Sequence, residues 1–253
     1  MSWKVAASSV TGSSHANRGE SGQDFCRAGS VRIADSEYFI GLVADGAGST
    51  TDGGRGAEIA CDTLNASVLE TLRQDGDVSH ITDETVRQWV TAARDAIARE
   101  AGMRGKQLRD FACTLLGAVA SCGHALFFQI GDGAIVICTG ETYQTVFWPE
   151  QGEYANTTFF LSDETFLSRL CMKHLDASPG EIALFTDGLQ NLALSFAQKQ
   201  AHAGFFQPLF FALRNDPATA FSDFEGQLRR FLLRDDVSAR SDDDKTLVLA
   251  VQG

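Results

Sequence analysis

Three apolar runs in this chain each end at an Asp-Gly pair. The segments are YFIGLVADG, FFQIGDG and IALFTDG, and they place Asp45, Asp132 and Asp187 at the ends of runs that suit buried strands. Because glycine adopts backbone conformations that other residues avoid, each pair predicts a sharp turn out of a strand. A fourth acidic segment, SDDDKTLVLAV, runs in the opposite order, since Asp242 to Asp244 come before the last apolar run. The chain is therefore expected to place carboxylates at the ends of four strands.

Two interpretations of these aspartates are open at this point. Asp-Gly is a common turn signal, and the chain also has it at Asp52 and Asp75, so a turn explains any single pair. Alternatively, the four carboxylate positions converge at one edge of a sheet, where such oxygen clusters hold hard divalent cations. The repeated context favours a metal site, because a turn does not require an apolar strand before its aspartate.

The composition favours one domain, residues 1–253, with a large core. Apolar residues make up 44% of the chain, there are only 4 prolines, and no Ser/Pro/Gly-rich linker interrupts it. A net charge of -12 argues against nucleic acid or an anionic membrane as the main partner. No signal-peptide core and no membrane-length apolar run is present, so we expect a cytoplasmic protein. Its 6 cysteines lack C-x-x-C spacing and are expected to be free thiols.

The remaining patterns predict an α+β chain. Period-2 and apolar runs indicate strands over 3–10, 25–33, 38–44 and 246–251, and helical periodicity indicates helices over 54–74 and 82–102. Residues 111–140 predict a β-meander that 142–148 continues.

Further along, the pattern is more ambiguous. Residues 166–176 are compatible with a helix or a strand, although the turn ASPGE favours a strand in a hairpin with 182–186. After Asp187, helical segments are expected over 189–201, 205–214 and 217–233, with Pro217 in the first turn of the last one. The polar stretch 149–164 is not assigned.

The ordered series GQDF, VADGAGS, ACTLLG, IGDG, FTDGL and DDDKT resembles the motifs of the PPM family of metal-dependent serine/threonine protein phosphatases, in its bacterial form. The resemblance extends from Gly22 to Val251. It implies a four-layer α-β-β-α sandwich, in which two antiparallel sheets are flanked by helices. It also implies two Mn²⁺ or Mg²⁺ ions in a cleft at one end of the sandwich, and phosphorylated proteins as substrates.

The resemblance also implies roles for particular residues. Asp45 matches the aspartate that bridges both metals, and the Gly46 carbonyl matches a backbone ligand of one of them. Asp187 matches the second carboxylate ligand, and Asp243 matches the third because it stands three residues before the threonine of DDDKT; its neighbours Asp242 and Asp244 are alternatives. Two further positions complete the set: Asp132 for a weakly held third metal and Asp24 for ordering metal-bound water.

The chemistry expected from such a site is direct hydrolysis. Phosphate monoesters hydrolyse extremely slowly without a catalyst, so the enzyme must supply a nucleophile and neutralise charge. Two ions bridged by Asp45 would lower the pKa of a shared water, and the hydroxide would attack phosphorus without a covalent phosphoenzyme. We expect phosphoserine and phosphothreonine as substrates, with phosphotyrosine as an extension of the same hypothesis.

Several positions depart from the family pattern. Gln23 stands where a glutamate is frequent, which predicts weaker binding of the second metal. Arg18 is the candidate for holding the substrate phosphate, although it lies one residue further upstream than the family arginine. Ala47 replaces the histidine of animal members, so the leaving group needs another proton source. His15, in the Arg18 loop, is interpreted as structural or surface-exposed, with contact to the site as the alternative. Thr114 and the other four histidines are expected to be structural: His80, His124, His174 and His202.

Three competing functions remain at this stage. The same di-metal site would also suit small phosphoesters. A catalytically weak module that docks a regulatory partner is compatible with Gln23 and Ala47. A calcium-stabilised β protein without catalysis is the third alternative. We expect a monomer.

Overall fold

The computed structural model of the chain describes residues 2–149, 158–217 and 223–253. In this part of the chain the strands are β1 (Trp3–Val10), β2 (Asp24–Ile33), β3 (Ser36–Asp45), β4 (Leu115–Ala120), β5 (Ala125–Ile130), β6 (Ala134–Thr139), β7 (Thr142–Thr145), β8 (Cys171–Leu175), β9 (Glu181–Phe185), β10 (Leu194–Ser195), β11 (Gln200–Ala201) and β12 (Lys245–Gln252). The α-helices are α1 (Ser13–Ala16), α2 (Gly53–Asp75), α3 (Asp83–Met103), α4 (Phe166–Arg169), α5 (Gln190–Ala193), α6 (Ala203–Asn215), α7 (Phe224–Leu232) and α8 (Asp235–Ser238).

Two five-stranded antiparallel sheets form the centre of the fold. The first sheet has the order β1-β12-β9-β6-β7, and the second has the order β2-β3-β4-β5-β8. Strands β10 and β11 form a separate small hairpin. The α+β prediction is therefore confirmed.

Apolar side chains fill three layers between four layers of secondary structure. Phe39 and Val43 of β3 pack between the two sheets, whereas Ile40 and Leu42 pack against the helices α2 and α3 on the outer face. Helices α6 and α7 cover the first sheet in the same way. Because both faces of β3 are covered, its sequence is a continuous apolar run rather than an alternating one. The four-layer sandwich implied by the family resemblance is confirmed.

The two long helices begin and end where their sequence predicts. The Thr82 hydroxyl accepts a hydrogen bond from the Thr85 amide at 3.2 Å and caps α3, with Asp83 and Glu84 in its first turn. Helix α2 ends at Gly76, whose φ of +68° favours glycine. Among the described residues, no helix combines the length and the apolar character that crossing a membrane demands.

Two of the expected strand connections are wrong. The predicted meander over 111–140 is broken, because β4 and β5 belong to the second sheet and β6 belongs to the first. The predicted hairpin around ASPGE is also absent, since β8 and β9 lie in different sheets. In each case a turn carries the chain across the sandwich. A period-2 pattern identifies a strand but contains no information about which sheet it joins.

The segment after Asp187 is less helical than expected. Within 189–201 the only helix is α5, and the hairpin of β10 and β11 follows it. Lys199 adopts a φ of +50°, which reverses the chain within this hairpin. In the predicted helix 217–233, Pro217 is not helical, residues 218–222 lie outside the described residues, and α7 begins at Phe224. Residues 166–176 contain both a helix, α4, and a strand, β8; part of the unassigned stretch, 150–157, lies outside the described residues.

Helix α2 packs closely against the backbone of Phe111 at Gly56, where a side chain would not fit. A Cβ on Gly56 would lie 2.0 Å from the Phe111 carbonyl oxygen, whereas a Cβ on Gly102, in α3, meets nothing within 4 Å. We expect Gly56→Ala to lower the free energy of unfolding by about 1–3 kcal/mol, because the helix must move. Gly102→Ala should raise it by up to ~1 kcal/mol through helix propensity. Urea unfolding of both variants measures the difference, and equal effects would contradict the predicted close contact.

Candidate active site

The second sheet contributes two aspartates that face each other. The antiparallel register of β2 and β3 places Asp24, the first residue of β2, directly opposite Asp45, the last residue of β3. Thr114 fixes the backbone of Asp45, since its Oγ1 accepts the Asp45 amide at 3.0 Å and its own amide donates to the Asp45 carbonyl at 2.8 Å. Thr114 is therefore a structural support beside the site, as expected.

The first sheet contributes the second group of aspartates at the same end of the sandwich. Asp187 stands two residues after Phe185, the last residue of β9, and begins the 3-10 turn Asp187–Leu189. Asp243 stands two residues before β12, which pairs with β9. A Cβ on Gly188 would lie 2.0 Å from the Asp244 carbonyl oxygen, so the two loops are in direct contact.

The two sheets are joined at this end by hydrogen bonds to Asp24. Its Oδ2 accepts the hydroxyls of Thr186 and Thr246, each at 2.8 Å. The Thr186 hydroxyl oxygen in turn accepts the Thr246 amide at 3.1 Å. We call this arrangement the Asp24 bridge. Sequence patterns did not identify either threonine, although both lie within the motifs FTDGL and DDDKT.

The bridge and its neighbours form a strongly coupled acidic cluster. Burial, together with the charges of Asp244 and Asp187, raises the pKa of Asp24 to about 7, despite the two hydroxyl donors. Burial and the charges of Asp132 and Asp243 raise the pKa of Asp187 to about 6. For Asp45, burial and then the charge of Asp24 raise the pKa well above its usual range. The cluster therefore favours bound positive charge.

The donor set fits divalent cations. Every candidate ligand offers oxygen, which hard cations prefer. Two buried carboxylate oxygens, Asp24 Oδ1 and Asp187 Oδ1, have no hydrogen-bond partner among the described residues. The carboxyl groups of Asp45 and Asp187 also lie close enough to affect each other's pKa. A bound cation would offset the charge that these buried oxygens carry.

Gly46 is packed so closely that a side chain is excluded. A Cβ at this position would lie 2.3 Å from the Gly53 carbonyl carbon. The side-chain amide of Gln23 lies beside this turn. We assign its NH₂ group as donating to the carbonyls of Ala47, at 3.0 Å, and of Gly46, at 3.2 Å, because the reverse orientation would oppose oxygen to oxygen.

Asp132 lies on the turn that crosses from β5 to β6. Its Oδ2 accepts a hydrogen bond from the Thr158 hydroxyl at 2.5 Å, and its backbone carbonyl accepts one from the side-chain NH₂ group of Gln190. The Gln129 side chain braces the turn by donating to the carbonyls of Gly131 and Gly133. Because its charge contributes to the raised pKa of Asp187, Asp132 lies at the periphery of the cluster.

The three neighbouring aspartates of the DDDKT motif have different surroundings. Asp244 is buried, and its carboxylate accepts the amides of Gly12 at 2.7 Å and Gln23 at 2.6 Å. Asp242 is exposed. The charge of Asp243 acts on both Asp45 and Asp187. The structure therefore brings Asp243 into the cluster and turns Asp244 towards the backbone of the N-terminal loop.

A groove of about 680 Å³ adjoins Gln23, the residue before Asp24, and the cluster aspartates are not among its lining residues. Its lining includes Arg18, Gln23 and Arg55, together with glycine and hydroxyl residues of the loop 48–54. The Arg18 side chain is 50% exposed and its Nε donates to Glu20 at 2.7 Å. Arg55, which sequence patterns did not single out, is held by Glu58 at 2.6 Å and by Glu100 at 3.3 Å.

The histidines do not line this groove. His15 is 3% exposed, and its Nδ1 lies 3.1 Å from Asp244 Oδ2. Of the two predicted alternatives, the structure therefore agrees with a structural histidine and not with a surface-exposed one. His124 and His174 pair with Asp77 and Asp83, at 3.6 and 2.9 Å.

Comparison with known proteins agrees with this geometry. The model of the family described as protein phosphatase 2C matches residues 11–232. Serine/threonine-protein phosphatase 3 of Escherichia coli K12 is 36% identical over 252 residues, which cover 99% of each chain. The solved catalytic domain of the phosphatase PstP, in complex with 2 manganese ions, superimposes with a TM-score of 0.63 at 18% identity and covers 98% of this chain and 97% of its own.

A second solved structure shows the same fold. Stp1 from Staphylococcus aureus superimposes with a TM-score of 0.63 at 14% identity, over 99% of this chain and 95% of its own. The family match and the 36% identity to the Escherichia coli phosphatase over nearly the whole chain confirm the predicted family resemblance. This chain therefore belongs to the protein phosphatase 2C family, whose members are metal-dependent hydrolases of phosphorylated serine and threonine side chains in proteins.

Proposed function

We propose that this chain dephosphorylates phosphoserine and phosphothreonine in proteins, with two Mn²⁺ or Mg²⁺ ions held at the acidic cluster. The observation that carries the proposal is the convergence of carboxylates from both sheets around the Asp24 bridge. In the proposal, the cations are held by a set of oxygen ligands: the carboxylates of Asp45, Asp187 and Asp243 and the carbonyl of Gly46. Asp132 is the proposed ligand of a weaker third cation.

When bound, such cations lower the pKa of water and offset the negative charge of a phosphoryl group. Asp24 has a separate task in this proposal. Its Oδ2 is occupied by the two threonine hydroxyls, whereas its buried Oδ1 is unpaired. Oδ1 is therefore free to accept a hydrogen bond from the attacking water and to orient it.

We assign the substrate phosphate to Arg18 rather than Arg55. Both arginines line the groove, but Arg55 is held by two carboxylates and Arg18 by one. The Arg18–Glu20 pair is half exposed, and such surface pairs contribute only about 0–1 kcal/mol. Arg18 can therefore exchange Glu20 for a phosphate at low cost, and a guanidinium matches a phosphate in two parallel hydrogen bonds.

The proton for the leaving group does not come from His15 in this proposal. The imidazole is buried against Asp244 and does not line the groove, and Ala47 offers no donor. Solvent in the open groove is the remaining source.

The cysteines support a reducing compartment such as the cytoplasm. None of the six forms a disulfide in the described part of the chain, and Cys61 and Cys113 are buried in the core. Burial raises the pKa of the Cys113 thiol to about 12, so it stays protonated and unreactive.

Removing a central carboxylate should abolish catalysis. We expect Asp45→Ala or Asp187→Ala to lower manganese-dependent hydrolysis of an aryl phosphate by at least ~10²–10³-fold, the loss seen with single transition-state contacts elsewhere. Asp242→Ala, which alters an exposed neighbour in the same acidic segment, should keep full activity. Steady-state kinetics with circular dichroism as the folding control decide this, and unchanged turnover in either cluster variant would falsify the assignment.

Stability without cations should fall as the pH rises. The folded chain binds more protons than the unfolded chain between about pH 4, the usual pKa of Asp, and the raised pKa values of about 6 and 7 for Asp187 and Asp24. The free energy of unfolding of chelator-treated protein should therefore decrease from pH 4 to pH 7 and then level off.

Urea titrations at several pH values measure this slope. Asp24→Asn or Asp187→Asn should flatten this slope, because an amide does not titrate. Adding Mn²⁺ to the chelated wild type should restore the stability that it loses at neutral pH. A slope identical in the chelated wild type and in both variants would show that these carboxyls do not have raised pKa values.

Arg18→Ala tests the phosphate assignment. We expect KM for a phosphothreonine peptide to rise by about 10- to 100-fold, the equivalent of one hydrogen bond to a charged group, with a small effect on manganese affinity. Arg32→Ala removes a comparable exposed arginine, which pairs with Glu37 at 3.3 Å outside the groove, and should have no effect. Running small phosphorylated metabolites in parallel separates a protein phosphatase from a small-molecule phosphatase.

A further inference from the structure

An N-terminal strap, residues 11–23, wraps around the acidic segment Asp242–Asp244. The Gly12 amide donates to Asp244 Oδ1 at 2.7 Å, and the Gln23 amide donates to Asp244 Oδ2 at 2.6 Å. The Ser14 amide donates to the Asp242 carbonyl at 2.8 Å. The strap thus holds the Asp244 carboxylate in a fixed orientation.

His15 belongs to this strap, and its buried ring nitrogens are unsatisfied. The residue is 3% exposed, and neither Nδ1 nor Nε2 has a hydrogen-bond partner among the described residues. Nδ1 is only 3.1 Å from Asp244 Oδ2, yet it is not aligned for a hydrogen bond. Burying an unpaired polar group is unfavourable, so such a group calls for an explanation.

The imidazole belongs to a group of three potential ligands. One atom each from His15, Asp243 and Asp244 lies within 4.8 Å of the other two. With tetrahedral metal–ligand bonds of about 2.0–2.2 Å, ligand atoms are roughly 3.3–3.6 Å apart, so these side chains must close in by about 1 Å to hold an ion. A neutral imidazole with two carboxylates balances the charge of a divalent ion.

We propose that His15, Asp243 and Asp244 form a mononuclear site for a transition-metal ion such as Zn²⁺. An imidazole with carboxylates suits Zn²⁺ and its neighbours, whereas Mg²⁺ prefers oxygen alone. The two strap amides that donate to Asp244 act as the outer hydrogen bonds that orient a ligating carboxylate. This ion ties the strap to the acidic segment. Zinc binding at this site does not require phosphatase activity, although the site uses one proposed catalytic ligand.

The site shares Asp243 with the proposed catalytic centre, so the experiment must separate the two. In a full-length Asp45→Asn/Asp187→Asn variant, the catalytic centre loses two ligands while the three ligands of the new site stay intact. After chelation, this variant should bind one Zn²⁺ per chain in the presence of millimolar Mg²⁺. Equilibrium dialysis with elemental analysis counts the retained zinc.

Adding His15→Ala to that background should weaken zinc binding by more than ~100-fold, beyond the usual effect of outer-shell partners. His174→Ala is the matched control, because His174 also lies beside an aspartate, Asp83, at 2.9 Å but on the surface; it should retain the zinc. Circular dichroism checks that each variant is folded.

The proposal is overturned if the background variant retains no zinc, or if His15→Ala leaves zinc retention unchanged. His15 is then an ion-pair partner of Asp244. If His15→Ala does not fold, anomalous scattering at the zinc edge from crystals of the wild-type chain decides directly: density at His15 Nδ1 supports the site, and its absence there overturns it. Manganese-dependent activity of the wild type, measured separately, reports on the phosphatase proposal alone.

Discussion

The mutual repulsion of carboxylates at one end of the sandwich is the constraint on which the site depends. Asp24 and Asp45 come from the second sheet, and Asp187 and Asp243 come from the first, so the repulsion acts between the two halves of the fold. The raised pKa values of Asp24, Asp45 and Asp187 reflect burial first and this repulsion second. Two features oppose it: the apolar layer between the sheets, and the Asp24 bridge, which lets hydroxyls from one sheet solvate a carboxylate of the other. A bound cation removes the remaining cost, so the same arrangement that strains the empty fold gives affinity for metal.

The local features of the fold could be predicted from sequence because local rules produce them. The run from Tyr38 to Asp45 ends in a carboxylate at a strand end. Thr82 starts α3 and Gly76 ends α2, each through contacts within a few residues. The assignment of strands to sheets could not be predicted in this way. The turn at Asp132 resembles a hairpin turn, yet the chain crosses the sandwich there because β6 pairs with β9, far along the sequence. Such pairing depends on the global burial of both faces, which no short window of sequence contains.

The same division applies to the site. The carboxylates can be predicted as candidates because one context, an apolar strand that ends in an aspartate, recurs along the chain, whereas the choice of Asp243 among three neighbours rests on the family resemblance. The reason for that selection is tertiary, since Asp244 is held by the amides of Gly12 and Gln23. Thr186 and Thr246 resemble ordinary strand residues until the register shows that both reach Asp24. His15 resembles a loop histidine in the sequence, and its burial follows only from the packing of the strap against the acidic segment.

The departure at Gln23 has an electrostatic consequence for the whole cluster. A carboxylate at this position would lie beside the carbonyls of Gly46 and Ala47 and would add its charge to the cluster, whereas the amide donates to those carbonyls at 3.2 and 3.0 Å. The neutral side chain thus lowers the repulsion that the empty site must bear, and it holds the turn that carries Asp45. The same change removes one negative charge from the surroundings of the proposed cations, so we expect it to lower their affinity. On this proposal, Gln23 makes the fold more tolerant of metal loss and makes metal binding weaker, so its two effects have opposite signs.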